Sequence, residues 1–173
     1  MVVNRQKQTP EDILAILGIG YLGLFLGQRM NEVIIAQSRR RGLPQMRESY
    51  GYVIQHLVGK DGRVARTGSE LARRMGVSQQ AASKAVAELV RLGVVCIVPP
   101  PDGADRRAKL LQLTDIGWHG VTEARRTREH LEKQLEKKLG TARYASIRAA
   151  LRECLGLMGG VERIRNRQIR PPE

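Results

Sequence analysis

The spacing of apolar residues changes along the chain, and each change marks an element. An uncharged run of 15 positions, Ile13 to Gly27, continues as Met30, Val33 and Ile34, separated by Gln28, Arg29, Asn31 and Glu32. That period is helical and predicts one long helix over residues 12–39, with Arg39, Arg40 and Arg41 suited to its C-terminus and Gly42 ending it. A second helix is expected over residues 44–58, with Tyr50, Val53, Ile54 and Leu57 on one face, before a turn at Lys60-Asp61-Gly62. A short strand over residues 63–66 leads into Thr67-Gly68-Ser69-Glu70, which reads as a capping box in which the Thr67 hydroxyl and the Glu70 carboxylate satisfy each other's backbone donors. It opens a helix that stops at Gly76, and Ser78 caps the next, over residues 79–92. Two short helices across a glycine-containing turn make a helix-turn-helix.

After Gly93 the period shortens. Val94 to Val98 is β-prone, residues 99–104 are turn-rich, and residues 107–113 return as a second strand, so a hairpin stands directly behind the helix-turn-helix. Thr114 caps a long charged helix reaching about Leu139. Beyond Gly140 and Thr141, a last helix carries Tyr144, Ile147, Leu151, Cys154, Leu155 and Met158 at helical spacing, and Gly159-Gly160 ends it. The basic segment 161–173 is expected to fray as a flexible tail.

On a wheel of the helix over residues 79–92, Ala82, Ala85, Val86 and Leu89 share one side. Gln80, Lys84, Ala87 and Arg91 lie opposite, with Ser83 at the flank. A helix that enters a major groove needs amides or hydroxyls near its N-terminus for base edges, short side chains for close approach and cations for phosphates; the outward face offers all three. Ser78 and Gln79, at the positive end of the helix, suit phosphate contacts. The composition agrees. Lys+Arg number 30 against 17 Asp+Glu, a net charge of +13, which calls for a polyanionic partner, nucleic acid or an anionic membrane surface. Aromatic residues are 3% of the chain, which argues against a single-strand stacking platform. Two cysteines, Cys96 and Cys154, exclude a disulfide scaffold and point to a reducing cytoplasm. Both read as small packed residues rather than redox sensors.

The sequence resembles the MarR family of winged helix-turn-helix transcription regulators. The resemblance rests on Glu70-Leu71-Ala72-Arg73-Arg74-Met75-Gly76-Val77-Ser78-Gln79, on Gly93-Val94-Val95, and above all on Asp105-Arg106-Arg107-Ala108-Lys109-Leu110-Leu111-Gln112-Leu113-Thr114. That last run fits the family's wing pattern D-x-R-x-x-x-L-x-L-T at Asp105, Arg107, Leu111, Leu113 and Thr114. Gly42-Leu43-Pro44-Gln45 also resembles the family's segment between its first two helices, and the likeness extends over about residues 25–158.

The resemblance implies a mainly α fold with a small β-hairpin wing. It divides the chain into an N-terminal dimerisation helix (1–43), a winged helix-turn-helix DNA-binding lobe (44–114), C-terminal dimerisation helices (115–160) and the tail (161–173). It further implies a cytoplasmic homodimer on a pseudo-palindromic double-stranded site, its two reading helices one helical turn, about 34–36 Å, apart. The DNA-binding residues expected are Ser78, Gln79, Gln80, Ser83, Lys84, Arg106 and Arg107. Arg107 would reach the minor groove from the wing and Asp105 would hold it; Arg106 is a phosphate contact or solvated. A repressor released by a small-molecule effector is the expected output, with Tyr21, Arg29, Tyr50, His56 and Trp118 as candidates to line the effector pocket; Trp118 equally suits packing between lobes. The alternatives are a nonspecific architectural or nucleoid DNA-binding protein, an enzyme and a membrane-surface protein.

The chain departs from the family in small inward residues, Ala82 and Ala85, in Pro99-Pro100-Pro101 at the wing tip, and in a glycine-rich first helix carrying Gly23 and Gly27. Gly18 to Gly23 spells G-x-G-x-x-G, yet no strand precedes it and no carboxylate follows near residues 39–42, so a dinucleotide site is not expected. The uncharged run is shorter than the about 18 residues a membrane-spanning helix needs. His56, His119 and His130 form no i, i+4 ligand pair, and no catalytic constellation stands out. No metal, cofactor or enzymatic activity is therefore expected.

Overall fold

Local side-chain caps set most of the helix starts. The computed structural model describes residues 9–44, 47–60, 62–103, 107–159 and 161. Helix α1 (Pro10–Ala15) begins at Thr9, whose hydroxyl accepts from the Asp12 amide while the Asp12 carboxylate accepts from the Thr9 amide. The Thr9 hydroxyl also donates to that carboxylate at 2.7 Å, and this bond, together with the one from the Thr9 amide, holds the Asp12 carboxyl below its ordinary pKa of 3.8. Helix α2 (Ile19–Arg40) follows, then α3 (Tyr50–Ile54), prolonged by a 3₁₀ turn at Gln55–Leu57. Next come β1 (Arg66–Thr67), α4 (Gly68–Met75), α5 (Gln79–Arg91), β2 (Val95–Val98), β3 (Leu110–Leu113), α6 (Asp115–Leu139) and α7 (Thr141–Leu157). The chain is mainly helical, with a three-stranded antiparallel sheet in the order β1-β3-β2. Its register sets Val95 opposite Leu113 and Val98 opposite Leu110 on one side of β3, and Arg66 opposite Leu111 on the other.

Several expected elements are corrected. The single helix over residues 12–39 is two, because the chain leaves helical hydrogen bonding at Ile16–Gly18, where Gly18 takes an extended conformation to cap α2. The apolar period runs on through this break, so the pattern alone cannot show it. The second helix is a single short turn of α3 plus 3₁₀ rather than residues 44–58. The strand expected over residues 63–66 joins the sheet only through Arg66 and Thr67; Arg63 makes an isolated bridge to Val58. The capping box at Thr67 is half formed. Its hydroxyl accepts from the Glu70 amide at 3.2 Å, but the Glu70 carboxylate turns to Arg66 and Arg74. Strand β3 starts at Leu110, later than expected. The caps at Ser78 and Thr114 and the extents of α6 and α7 agree with the sequence reading.

The core lies within the middle of the chain. Tyr50, Val53, Ile54, Leu57, Val58, Leu71, Met75, Leu89, Val94, Val95, Leu111 and Leu113 form one buried cluster, with Val77, Trp118 and Val121 packed on it. Helix α6 leaves this cluster as a long arm against which α2 and α7 pack. Between α6 and α7 the Tyr144 hydroxyl donates to Glu132, which raises the Tyr144 pKa above its ordinary value, and the Arg148 guanidinium lies 5.7 Å from the Tyr144 ring. Leu14, Ile19, Leu24 and Phe25 on α1 and α2, and Leu155, Leu157 and Met158 at the end of α7, are exposed in the single chain. Gly23 and Gly27 face open space, and among the described residues no helix is long and apolar enough to cross a membrane.

The arm joins the lobe by close backbone contact. The Thr114 amide donates to the Val94 carbonyl at 3.0 Å, and its hydroxyl donates to the Gly93 carbonyl at 2.6 Å while accepting from the Gly117 amide at 3.0 Å. A Cβ on Gly117 would lie 2.2 Å from the Val94 carbonyl oxygen, so only glycine fits there. Gly120, one turn on, has no atom within 4 Å of such a Cβ. Gly117→Ala should therefore destabilise the protein by about 1–3 kcal/mol, whereas Gly120→Ala should be neutral or stabilising by up to about 1 kcal/mol. Urea unfolding of the two variants checks this contrast; equal effects would mean that α6 does not approach β2 so closely.

Candidate nucleic-acid interface

Helix α4 ends at Gly76, whose left-handed conformation, with φ of 71°, turns the chain; the Val77 amide donates back to the Ala72 carbonyl at 3.1 Å. Ser78 then caps α5 by accepting from the Ala81 amide at 3.2 Å. With Ala82 and Leu89 buried and Ala85 and Val86 half-buried, α5 is fixed by one side only. Ser78, Gln79, Gln80, Ser83 and Lys84 are all exposed along its first two turns. The structure thus brings five of the seven expected DNA-binding residues onto one exposed surface. Arg91, at the far end of α5, is less available: it holds Glu88 through two bonds of 2.9 and 2.6 Å, and this hydrogen bonding keeps the Glu88 carboxyl below its ordinary pKa.

The wing is positioned by its base. Leu111 and Leu113 are buried in the core, and Thr114 caps α6, so the aliphatic half of the wing pattern is structural. Arg107 is exposed beyond the strands, whereas Asp105 and Arg106 lie outside the described residues, as does most of the basic segment 161–173. Pro99, Pro100 and Pro101 follow the end of β2, where no ladder amide is required.

The five residues named for an effector pocket are not gathered in one place. Tyr21 and Arg29 are exposed on α2, Arg29 paired with Glu32. Tyr50 and His56 are buried in the lobe. Trp118 is half-buried between two guanidinium groups, Arg63 and Arg125, each 5.9 Å from its ring. A cavity of about 550 Å³ lies instead between α2, α3 and α6, lined by Ile34, Ile35, Tyr52, Val121, Arg39 and Arg125 among others. Tyr50 borders a neighbouring cleft that shares Ile35, Arg39, Arg47 and Glu48 with it. Sequence reasoning missed this cavity because three separate helices build it. Glu123, on the long charged helix that starts after Thr114, is only 4% exposed and pairs with Arg41 at the end of α2 and with Arg126. The spacing of Gly117, Gly120 and Glu123 on one stripe of α6 is the signal that marks its inward face. Among the described residues no group of three or more His, Cys, Asp and Glu side chains could hold a metal ion. Cys96 and Cys154 are free and half-buried.

The model of the MarR family matches residues 42–108, from the end of α2 through the helix-turn-helix into the wing. That segment is similar to the MarR family. The fold extends the likeness to most of the chain. RV1404 from Mycobacterium tuberculosis is 18% identical, with a TM-score of 0.62 over 87% of this chain and 95% of that one. The Staphylococcus aureus MepR–DNA complex gives 16% identity and a TM-score of 0.62 over 81% and 97%. The transcriptional regulator Tm0710 from Thermotoga maritima gives 18% and 0.56 over 81% and 93%. At these identities the likeness is one of fold. No curated protein matches the chain. In this MarR-like lobe, α4 and α5 are the helix-turn-helix and β2 and β3 the wing.

The lobe is braced where β1 meets α4. Arg66 donates to the His56 carbonyl at 2.7 Å and pairs with Glu70, which also accepts from Arg74 at 2.9 Å. Partial burial opposes ionisation of Glu70, but hydrogen bonds and charge from Arg74 and Arg66 outweigh it and hold the carboxyl below its ordinary 4.5. A folded pKa below the unfolded one stabilises the protein above the ordinary carboxylate range, and this contribution disappears as pH falls through the folded value. The stability difference between the parent protein and Glu70→Gln should therefore be largest near neutrality and shrink as pH falls from about 6 to about 3. Thermal unfolding across that range tests it; a difference that grows on acidification would contradict the bracing role.

Proposed function

We propose that the protein is a sequence-specific double-stranded-DNA-binding transcription regulator, a dimeric repressor released by a small molecule. The observation that carries this reading is the exposed face of α5, where Ser78, Gln79, Gln80, Ser83 and Lys84 stand at the capped, positive end of a helix anchored from behind. The match of residues 42–108 to the MarR family and the fold shared with a MepR–DNA complex support it. Gln80 and Ser83 read base edges, Ser78, Gln79 and Lys84 hold phosphates, and Arg107 and Arg106 act from the wing with Asp105 as support. The lobe 44–114 reads DNA. Segments 1–43 and 115–160 form the dimer, which covers the apolar surface that α1, α2 and α7 leave exposed. The chain acts by binding in the cytoplasm, without catalysis.

Selection of preferred duplexes from a random pool by the purified protein tests the reading. A pseudo-palindrome with half-sites one turn apart is the expected product; recovery without enrichment would favour the architectural alternative. On the selected site Arg107→Ala should weaken binding by about 1–3 kcal/mol. Gln80→Ala should change base preference, and Lys84→Ala should lower the salt slope by about 1 and leave base preference unchanged.

The effector site is the cavity between α2, α3 and α6. Its aliphatic walls and the guanidinium groups of Arg39 and Arg125 suit a small apolar anion. Because Arg125 also lies over Trp118, the single tryptophan of the chain, an apolar anion that releases the DNA should alter tryptophan emission. Titration of the protein with such anions, following fluorescence and DNA release together, checks this; release with unchanged emission would move the effector elsewhere.

A further inference from the structure

Glu123 is a charged side chain buried where the DNA-binding lobe and the dimer arms meet, and neither base reading nor the cavity uses it. It sits nine residues after Thr114, so about 14 Å along α6 from the junction with the lobe. Its carboxylate takes Arg41, the residue that closes α2, and Arg126, one turn along α6. Without Arg41 the buried carboxylate keeps one cation in place of two, so the pairing favours one height and one rotation of the end of α2 on α6. The turn after α2 is fixed at the same place: Gly42, with φ of 73°, lets the Leu43 amide donate to the Ser38 carbonyl at 3.1 Å. Helix α2 carries exposed apolar residues toward its N-terminus, and α6 carries the lobe. The angle between these two helices therefore sets how each lobe hangs from the arms.

We propose that the Arg41–Glu123 pair is a specificity-determining clamp that selects the spacing between the two half-sites, acting through the α2–α6 angle rather than by touching DNA. The inference rests on the dimeric DNA-binding reading above. One added base pair displaces a half-site by about 3.4 Å and rotates it by about 35°. Two lobes held rigidly at one angle meet only one such spacing, whereas lobes free to swing by part of that rotation accept several. Base preference within a half-site belongs to α5 and stays unchanged.

The test measures binding of the full-length protein to a set of duplexes that carry the selected half-sites with zero, one or two base pairs added or removed between them. The parent protein should favour one spacing by at least about tenfold. In Arg41→Met that preference should fall to within about threefold, with the enriched half-site sequence unchanged; Arg41→Lys, which keeps the charge, should restore much of it. Arg41 keeps 43% of its side chain exposed and its loss leaves Glu123 paired with Arg126, so this variant stays informative if Glu123→Gln fails to fold. A spacing profile that Arg41→Met leaves as in the parent protein would overturn the proposal. A parent protein that binds the half-sites with no preferred spacing would overturn the dimeric reading itself and the clamp with it.

Discussion

The carbonyl oxygen of Val94 is the point on which the rest of the structure hangs. It accepts from the Thr114 amide, lies 3.2 Å from the Thr114 hydroxyl, and has the Cβ-free face of Gly117 pressed against it. The end of α5, the first residue of the wing, the last residue of the wing and the start of α6 all meet there. Val94 is nearly fully buried, so an unsatisfied carbonyl at this place would cost about 1–3 kcal/mol. Thr114 satisfies it and starts a 25-residue helix with the same side chain. The orientation of the wing relative to α5, and of both relative to the arm, is set within one helical turn.

That junction explains how the chain is partitioned. Inside the lobe, short elements bury one another: α4, α5 and the sheet close over Leu57, Leu71, Leu89 and Leu113. Outside it, α7 contributes no buried residue and α2 only Ile34, although both carry many large aliphatics. Helices with that composition gain little from solvent exposure, and in the proposed dimer a second copy is the surface that lets them bury their aliphatic side chains.

The elements most legible in the sequence were those whose ends are decided locally. Ser78 and Thr114 cap through their own hydroxyls to amides three residues on, so residue type at one position fixes the start of α5 or α6. The exposed face of α5 was legible for the same reason, since a 3.6-residue period and four inward apolar residues determine which side is free. What was not legible depends on distant partners. The break at Ile16–Gly18 interrupts an apolar period that carries no mark of it. Glu70 leaves the box because Arg66 and Arg74 offer charge where the backbone offers a dipole. The burial of Glu123 requires Arg41, far upstream in the chain, and the cavity requires α2, α3 and α6 at once.

Under the proposed function, charge and placement do different work on DNA. The excess is spread over the chain, +4 over residues 1–60, +4 over 61–114 and +5 over 115–173, so the lobe is no more basic than the arms. Such a field attracts any duplex and makes binding depend on salt, but it cannot distinguish one sequence from another. On that reading, discrimination comes from the uncharged groups Gln80 and Ser83 that α5 presents, because amides and hydroxyls gain from a base edge only when its donors and acceptors match. Those groups can exploit that match only if α5 is held still, and it is held by Leu89 in the core behind it and by the Val94 junction at its end. Rigidity of the lobe is therefore what turns nonspecific attraction into recognition.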